Sequence, residues 1–173
     1  MNEQSIGVGL MGLGIVGGQV ARVLVDKAGD LAQQVGCPLV LRKVQVLAPD
    51  LTRPQAKEMD SRLFTTDDDE FFADPEVDIV VEAIGGENPA FQYLSRALSS
   101  GKHVVTSNKE VIAKHMGELL ALAQQYDVGL HYEAAVGGGI PLIMPFQRDL
   151  VANEIKGIYA IINGTTNYIL TRM

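Results

Sequence analysis

The sequence has no tryptophan and a single cysteine, Cys37. One thiol rules out an intramolecular disulfide and any cysteine-built metal cluster, and it fits a reducing, cytoplasmic setting. Cys37 precedes the second expected strand, far along the chain from any evident base, so the sequence does not mark it as a nucleophile. No apolar stretch approaches the ~18 residues needed to cross a bilayer. No basic segment leads into a long apolar one at the start, so no secretory signal is expected. Basic runs are also missing: 14 Lys and Arg stand against 21 Asp and Glu. That balance argues against a nucleic-acid backbone as partner. His103, His115 and His131 are too scattered for a metal set. Neither a P-loop nor a G-x-S-x-G pattern occurs.

What is present is an alternation of strand and helix. Ile6–Met11, Leu39–Leu47, Asp78–Ile84, His103–Thr106 and Val128–His131 read as five strands. Pro49 ends the second. Between them lie a helix with Val16, Val20, Val23 and Leu24 on one face, a polar stretch from Arg53 to Leu63, and a short acidic helix at Asp67–Phe72. Asn88-Pro89 signals the start of a helix with Phe91, Leu94 and Leu98 inward. A further helix carries Ile112, Met116, Leu119, Leu120 and Ala123. Such alternation defines an α/β, doubly wound parallel sheet of the Rossmann type, assigned to residues 1–133. After Glu133 the texture changes: a glycine run, a helix after Pro141, a strand from Glu154 to Ile162, a turn at Asn163-Gly164, and a helix capped by Thr165 or Thr166. Residues 134–173 are therefore expected to be the beginning of an α+β substrate and dimerisation domain, incomplete by itself.

Three motifs carry chemistry. Gly12-Leu13-Gly14-Ile15-Val16-Gly17 has the G-x-G-x-x-G spacing between a strand and a helix. There the glycines allow a tight turn, approach of a pyrophosphate and close helix packing, and the helix amides face the phosphates. Asp50 after the second strand would suit the ribose hydroxyls of NAD, and Arg53 the 2′-phosphate of NADP; the sequence leaves that choice open. In Thr106-Ser107-Asn108-Lys109-Glu110, Ser107 and Glu110 have capping-box spacing, which predicts Ser107 as the N-cap. Lys109 then lies in the first turn, where a cation opposes the helix dipole. Ser107 and Lys109 are candidate cofactor contacts, with Lys109 the candidate proton donor. In Glu133 to Pro141, three glycines allow carbonyl oxygens to converge beside one carboxylate, as a hard cation requires. Read alone, the segment is better explained as a flexible interdomain hinge, the simpler reading.

Together, Val8 to Gly17, Val104 to Lys109, Glu133 to Pro141 and Ile162 to Leu170 resemble homoserine dehydrogenases. The resemblance runs over essentially the whole chain. It implies reduction of L-aspartate 4-semialdehyde to L-homoserine, or the reverse, with NAD or NADP, in the biosynthesis of threonine, methionine and isoleucine. It further implies that Leu13, Gly14, Ile15 and Val16 line the cofactor site and that Lys109 contacts cofactor and substrate. By the same resemblance, Glu133, Val136, Gly138 and Ile140 hold a sodium ion, in place of the hinge, and Gly164 and Thr165 border the substrate. The longer form would pair as a homodimer through its second domain, and the family's second catalytic lysine and acidic substrate ligands would follow residue 173. Pro145 departs from expectation, because a proline inside the helix after Pro141 interrupts it at a cost of about 3 kcal/mol. A non-catalytic NAD(P)-binding or regulatory module is the alternative.

Overall fold

A computed structural model describes residues 5–161 and 164–172. The chain divides into two compact units, one running to Ile143 and one from Met144.

In the first unit, six parallel strands form one sheet in the order β3-β2-β1-β4-β5-β6. They are β1 (Ile6–Met11), β2 (Leu39–Gln45), β3 (Phe64–Thr65), β4 (Ile79–Glu82), β5 (His103–Thr106) and β6 (Leu130–His131). The helices are α1 (Ile15–Asp26), α2 (Ala28–Val35), α3 (Pro54–Lys57), α4 (Asp68–Ala73), α5 (Ala90–Ser99), α6 (Lys109–Gln125) and α7 (Glu133–Val136). This is the doubly wound order whose direction reverses between β1 and β4, and ligands of such sheets bind at the carboxyl ends beside that reversal. Register brings those ends level: Met11 pairs with Gln45 on one side and with Glu82 on the other, and Glu82 pairs with Thr106.

Two apolar clusters hold the sheet. One gathers Leu10, Leu13, Ala21, Leu41, Val44 and Val46. The other joins Met11, Val80 and Val104 to Phe71, Leu94, Leu98 and Leu119. Leu10 and Met11 are consecutive, so strand alternation sends them to different clusters. Leu94 alone, with no measurable exposure, represents about 2 kcal/mol of burial.

Several local expectations are corrected. Five strands were expected and six form, because Phe64–Thr65 is too short to show a period of two. Val16 and Val23, expected inward, are exposed, and α1 buries Gly17 and Ala21 instead. Small residues allow the close approach of helix to strand that valines would prevent. Likewise Met116 and Leu120 face outward on α6, whereas Val111, Ile112, Leu119 and Ala123 are buried. Helix α5 begins at Ala90 with Pro89 at the cap, since the Asn88 side chain accepts from Gln92 Nε2 at 2.7 Å. The long first crossover contains a second helix, α2, closed by Gly36 with φ of 88°.

The second unit opens on a wide π-type turn, Pro145–Asp149, in which Leu150 N–H donates to the Pro145 carbonyl at 2.9 Å. The interruption expected at Pro145 is therefore real, and it falls at the start of a single wide turn. Residues 154–161 form no strand, contrary to expectation. A strand requires a neighbour for its amides and carbonyls, and none pairs with it among the described residues. Helix α8 (Gly164–Arg172) follows, so the expected caps Thr165 and Thr166 fall inside it. Ile162 and Asn163 lie outside the described residues. Among the described residues no helix is long and apolar enough to cross a membrane.

Candidate cofactor site

Strand β1 delivers the chain into Gly12, whose φ of +91° only glycine adopts readily. A side chain there would also press on the Ala83 carbonyl at 2.9 Å. Gly17 is excluded from substitution by space: an added Cβ would lie 2.0 Å from the Gly12 carbonyl oxygen. The middle glycine differs, since a Cβ on Gly14 would meet nothing within 4 Å. Gly14 is the N-cap of α1 and no side chain caps that helix. Open space thus lies over the first-turn amides, which is the cradle a diphosphate requires. Leu13 is buried beneath this turn, while Ile15 (86% exposed) and Val16 stand out at its mouth.

Two strands away, Lys109 is the first residue of α6 and is exposed. At ~4.8 Å per strand its backbone starts about 10 Å from the glycine turn. The N-cap is Asn108, not Ser107: the Asn108 side-chain oxygen accepts from Val111 N–H at 3.1 Å. Ser107 instead donates its backbone N–H to the Glu82 carbonyl at 3.3 Å, continuing the strand ladder by one residue. Its side chain therefore sits one position too early to cap.

The residue that organises this edge was not visible in the sequence. Glu82 ends β4 and has no measurable exposure. One of its carboxylate oxygens accepts from Ile84 N–H at 2.8 Å and Gly85 N–H at 3.3 Å. The other accepts from the Thr106 hydroxyl at 2.5 Å. Thr106 in turn accepts from Asn108 N–H at 3.0 Å, and the Asn108 amide donates to the Gly86 carbonyl at 2.6 Å. This closed circuit ties the loop after β4, with Gly85 and Gly86 both at positive φ, to the start of α6. A glutamate followed three residues later by Gly-Gly was the available signal.

The far end of the same loop is held by charge. Glu87 accepts from Lys114 and from His115 Nε2, the latter at 3.0 Å, while His115 Nδ1 meets Glu118 at 3.0 Å. The imidazole stacks on Phe91 with centroids 4.0 Å apart. The Glu118 and Glu87 carboxylates raise the His115 pKa above its ordinary 6.5. The folded state therefore favours the protonated ring. That contribution is complete below pH 6.5 and fades as pH rises through the higher folded value. Thermal unfolding is expected to show a stability loss on passing from pH 6 to pH 9, and His115→Asn is expected to remove that part of the slope. An identical slope in both proteins refutes the assignment.

Elsewhere, the segment expected to hold sodium folds as α7 and a turn. Gly138 has φ of +62°, and a Cβ on Gly137 would lie 2.4 Å from the Ile140 carbonyl oxygen. The Glu133 carboxylate accepts from Leu142 N–H and Ile143 N–H, the latter at 2.8 Å. Glu133 and Val136 thus lie on α7, and Gly138 and Ile140 in the turn that follows it. At the opposite, amino end of the strands, an open cavity is lined by Cys37, Asp78, His103 and His131. The thiol read as remote from any base thus shares a cavity with two imidazoles. Gly164 and Thr165 fall at the start of α8 in the second unit.

A 3-2-1-4-5-6 sheet with this glycine turn at its reversal defines a dinucleotide-binding protein of the Rossmann class. The family model described as homoserine dehydrogenase, NAD binding domain, matches residues 12–133, and a second, described as homoserine dehydrogenase, matches residues 141–173. The chain belongs to the homoserine dehydrogenase family. It is 42% identical over 170 residues to the homoserine dehydrogenase of Bacillus subtilis (strain 168), covering 98% of this chain and 39% of that relative. Identity is also 42%, over 172 residues, to the enzyme of Mycobacterium tuberculosis (strain ATCC 25618 / H37Rv), covering 99% and 38%. The crystal structure of a homoserine dehydrogenase from Thiobacillus denitrificans superposes with a TM-score of 0.82 at 41% identity, over 98% of this chain and 39% of that one. The chain therefore spans about two fifths of the length of these relatives.

Proposed function

We propose that this chain is the NAD(P)-binding portion, with the beginning of the substrate and dimerisation domain, of an enzyme interconverting L-homoserine and L-aspartate 4-semialdehyde. The observation that carries the proposal is the Glu82–Thr106–Asn108 circuit, which seats Lys109 on the same sheet edge as the glycine turn. The bound nicotinamide supplies or accepts the hydride. The chain does the rest. Amides of Ile15, Val16 and Gly17 hold the diphosphate, and Ser107 lies beside Lys109 as a further cofactor contact. The Lys109 ammonium donates a proton to the oxygen that becomes the homoserine hydroxyl, and takes it back in the reverse direction. Gly164 and Thr165 border the substrate.

The division at 133/134 is supported by the two family matches, which leave residues 134–140 between them. For sodium, the support is the chemistry of the donors. A hard cation prefers oxygen, and Glu133 with the carbonyls of Val136, Gly138 and Ile140 supplies oxygen alone. The longer protein acts as a cytoplasmic homodimer that pairs through the second domain.

Titration of NADH and of NADPH into the purified chain, followed by nicotinamide fluorescence, tests the cofactor reading. Binding with a dissociation constant below about 1 mM is expected for at least one. No binding of either by a folded sample refutes it. With aspartate 4-semialdehyde added, the chain is expected to turn over little, because it spans only about two fifths of the length of its relatives. Normal turnover would overturn that part.

A further inference from the structure

We propose that the segment after β2 sets the choice between the two dinucleotides through a masked guanidinium. Arg53 is the group that takes the 2′-phosphate, and Asp50 holds it in check. The proposal rests on the NAD(P) reading above and deepens it.

Placement comes first. Gly12 N–H donates to the Gln45 carbonyl at 3.0 Å, so β2 ends against the glycine turn. Ten residues later, Gln55 Cγ lies 3.3 Å from where a Cβ on Gly18 would stand. The intervening segment therefore loops along the carboxyl edge and returns to the early turns of α1. In sheets of this class, that position carries an acid for a ribose diol or an arginine for a 2′-phosphate.

Beyond β2 the buried Val46 is followed by Leu47, the first exposed residue, which is 68% exposed and carries neither group. The charges in the segment are Asp50 and Arg53. Arg53 Nε meets one Asp50 oxygen at 2.6 Å, and the other oxygen accepts from Leu47 N–H at 3.4 Å. The Asp50 side chain is largely covered, at 18% exposure, and that of Arg53 stands out at 48%. The carboxylate is thus committed to its own turn and to its partner, leaving the diol no dedicated acceptor. A 2′-phosphate meets an outward guanidinium whose charge is offset by an adjacent anion. Attraction and repulsion nearly cancel, and the protein accepts both dinucleotides with comparable affinity.

Charge removal separates the two contributions. Asp50→Asn keeps an oxygen for Leu47 N–H and deletes the anion. NADPH is expected to bind about tenfold tighter, and NADH within about twofold of the parent, the size of one charge-assisted hydrogen bond. Arg53→Ala and Arg53→Gln are expected to weaken NADPH about tenfold and leave NADH alone. Added salt should erode NADPH affinity more steeply than NADH affinity in the parent and in Asp50→Asn. Fluorescence titration of the purified chain with each cofactor reads all of this. Competition by 2′-AMP against 5′-AMP isolates the phosphate contribution. An unchanged NADPH:NADH ratio in all three variants, with binding intact, overturns the selectivity assignment alone. Failure of the parent to bind either dinucleotide overturns the cofactor reading and this assignment with it.

Discussion

Glu82→Ala is expected to unfold the protein about 10 °C below the parent and to abolish measurable dinucleotide binding. The substitution leaves the hydroxyl of Thr106 and the amides of Ile84 and Gly85 without their acceptor, at a site with no measurable exposure. An unsatisfied buried donor costs about 1–3 kcal/mol, and water enters such a gap only in part. The sum is about 3 kcal/mol or more, which for a chain of this size lowers the midpoint by roughly 6–12 °C. Binding suffers separately, because the circuit through Thr106 and Asn108 fixes both Gly86 and the start of α6. Glu82→Gln provides the contrast. Its carbonyl oxygen still serves the two amides, and its NH2 group meets Thr106 Oγ1 as a donor. A loss near 1 kcal/mol is expected, with binding retained. Equal behaviour of the two variants in thermal melts and NADH titrations would show that the carboxylate merely fills space.

Glu82 also shows where reading a sequence stops. An acidic residue at the end of a strand is ordinarily a solvated one, and nothing local says that a threonine 24 positions on will lie beside it. Pairing of β4 with β5 decides that. The same holds for Phe64–Thr65, whose two residues become a strand only because β2 offers an edge. Asn108 took the cap from Ser107 because Ser107 is still engaged with Glu82 in the ladder, a contact no capping-box spacing can anticipate. By contrast, β1, the Gly12–Gly17 turn and the helix carrying Lys109 were legible, since each follows from short-range sterics, helix-end chemistry or strand alternation. The segment at 154–161 was misread for the converse reason. Its residues suit a strand, but propensity without a neighbouring strand forms no ladder. Choosing between Asp50 and Arg53 was not legible either, because the two turn out to be one ion pair.

Lys109→Ala should separate function from stability in the opposite sense to Glu82→Ala. Lys109 is exposed at the first position of α6, where the helix dipole disfavours a cation by about 0.3–1 kcal/mol. Its neighbour Glu110 already pairs with Lys114 at 2.8 Å. Nothing in the cap depends on the ammonium, because Asn108 supplies it. Alanine at 109 is therefore expected to leave the melting midpoint unchanged or slightly raised. On the proposal that Lys109 is the proton donor, its removal from the longer protein is expected to lower kcat by about 100-fold to 10,000-fold, the ordinary contribution of a positioned acid. NADH affinity should change only a few-fold, since the proposed diphosphate cradle is made of backbone amides two strands away. A surface lysine of no chemical consequence predicts instead an unaltered kcat. A non-catalytic nucleotide-binding module predicts cofactor binding indifferent both to this substitution and to added homoserine. Steady-state rates and NADH titrations on parent and Lys109→Ala distinguish the three, and a kcat within about twofold of the parent would remove Lys109 from the mechanism.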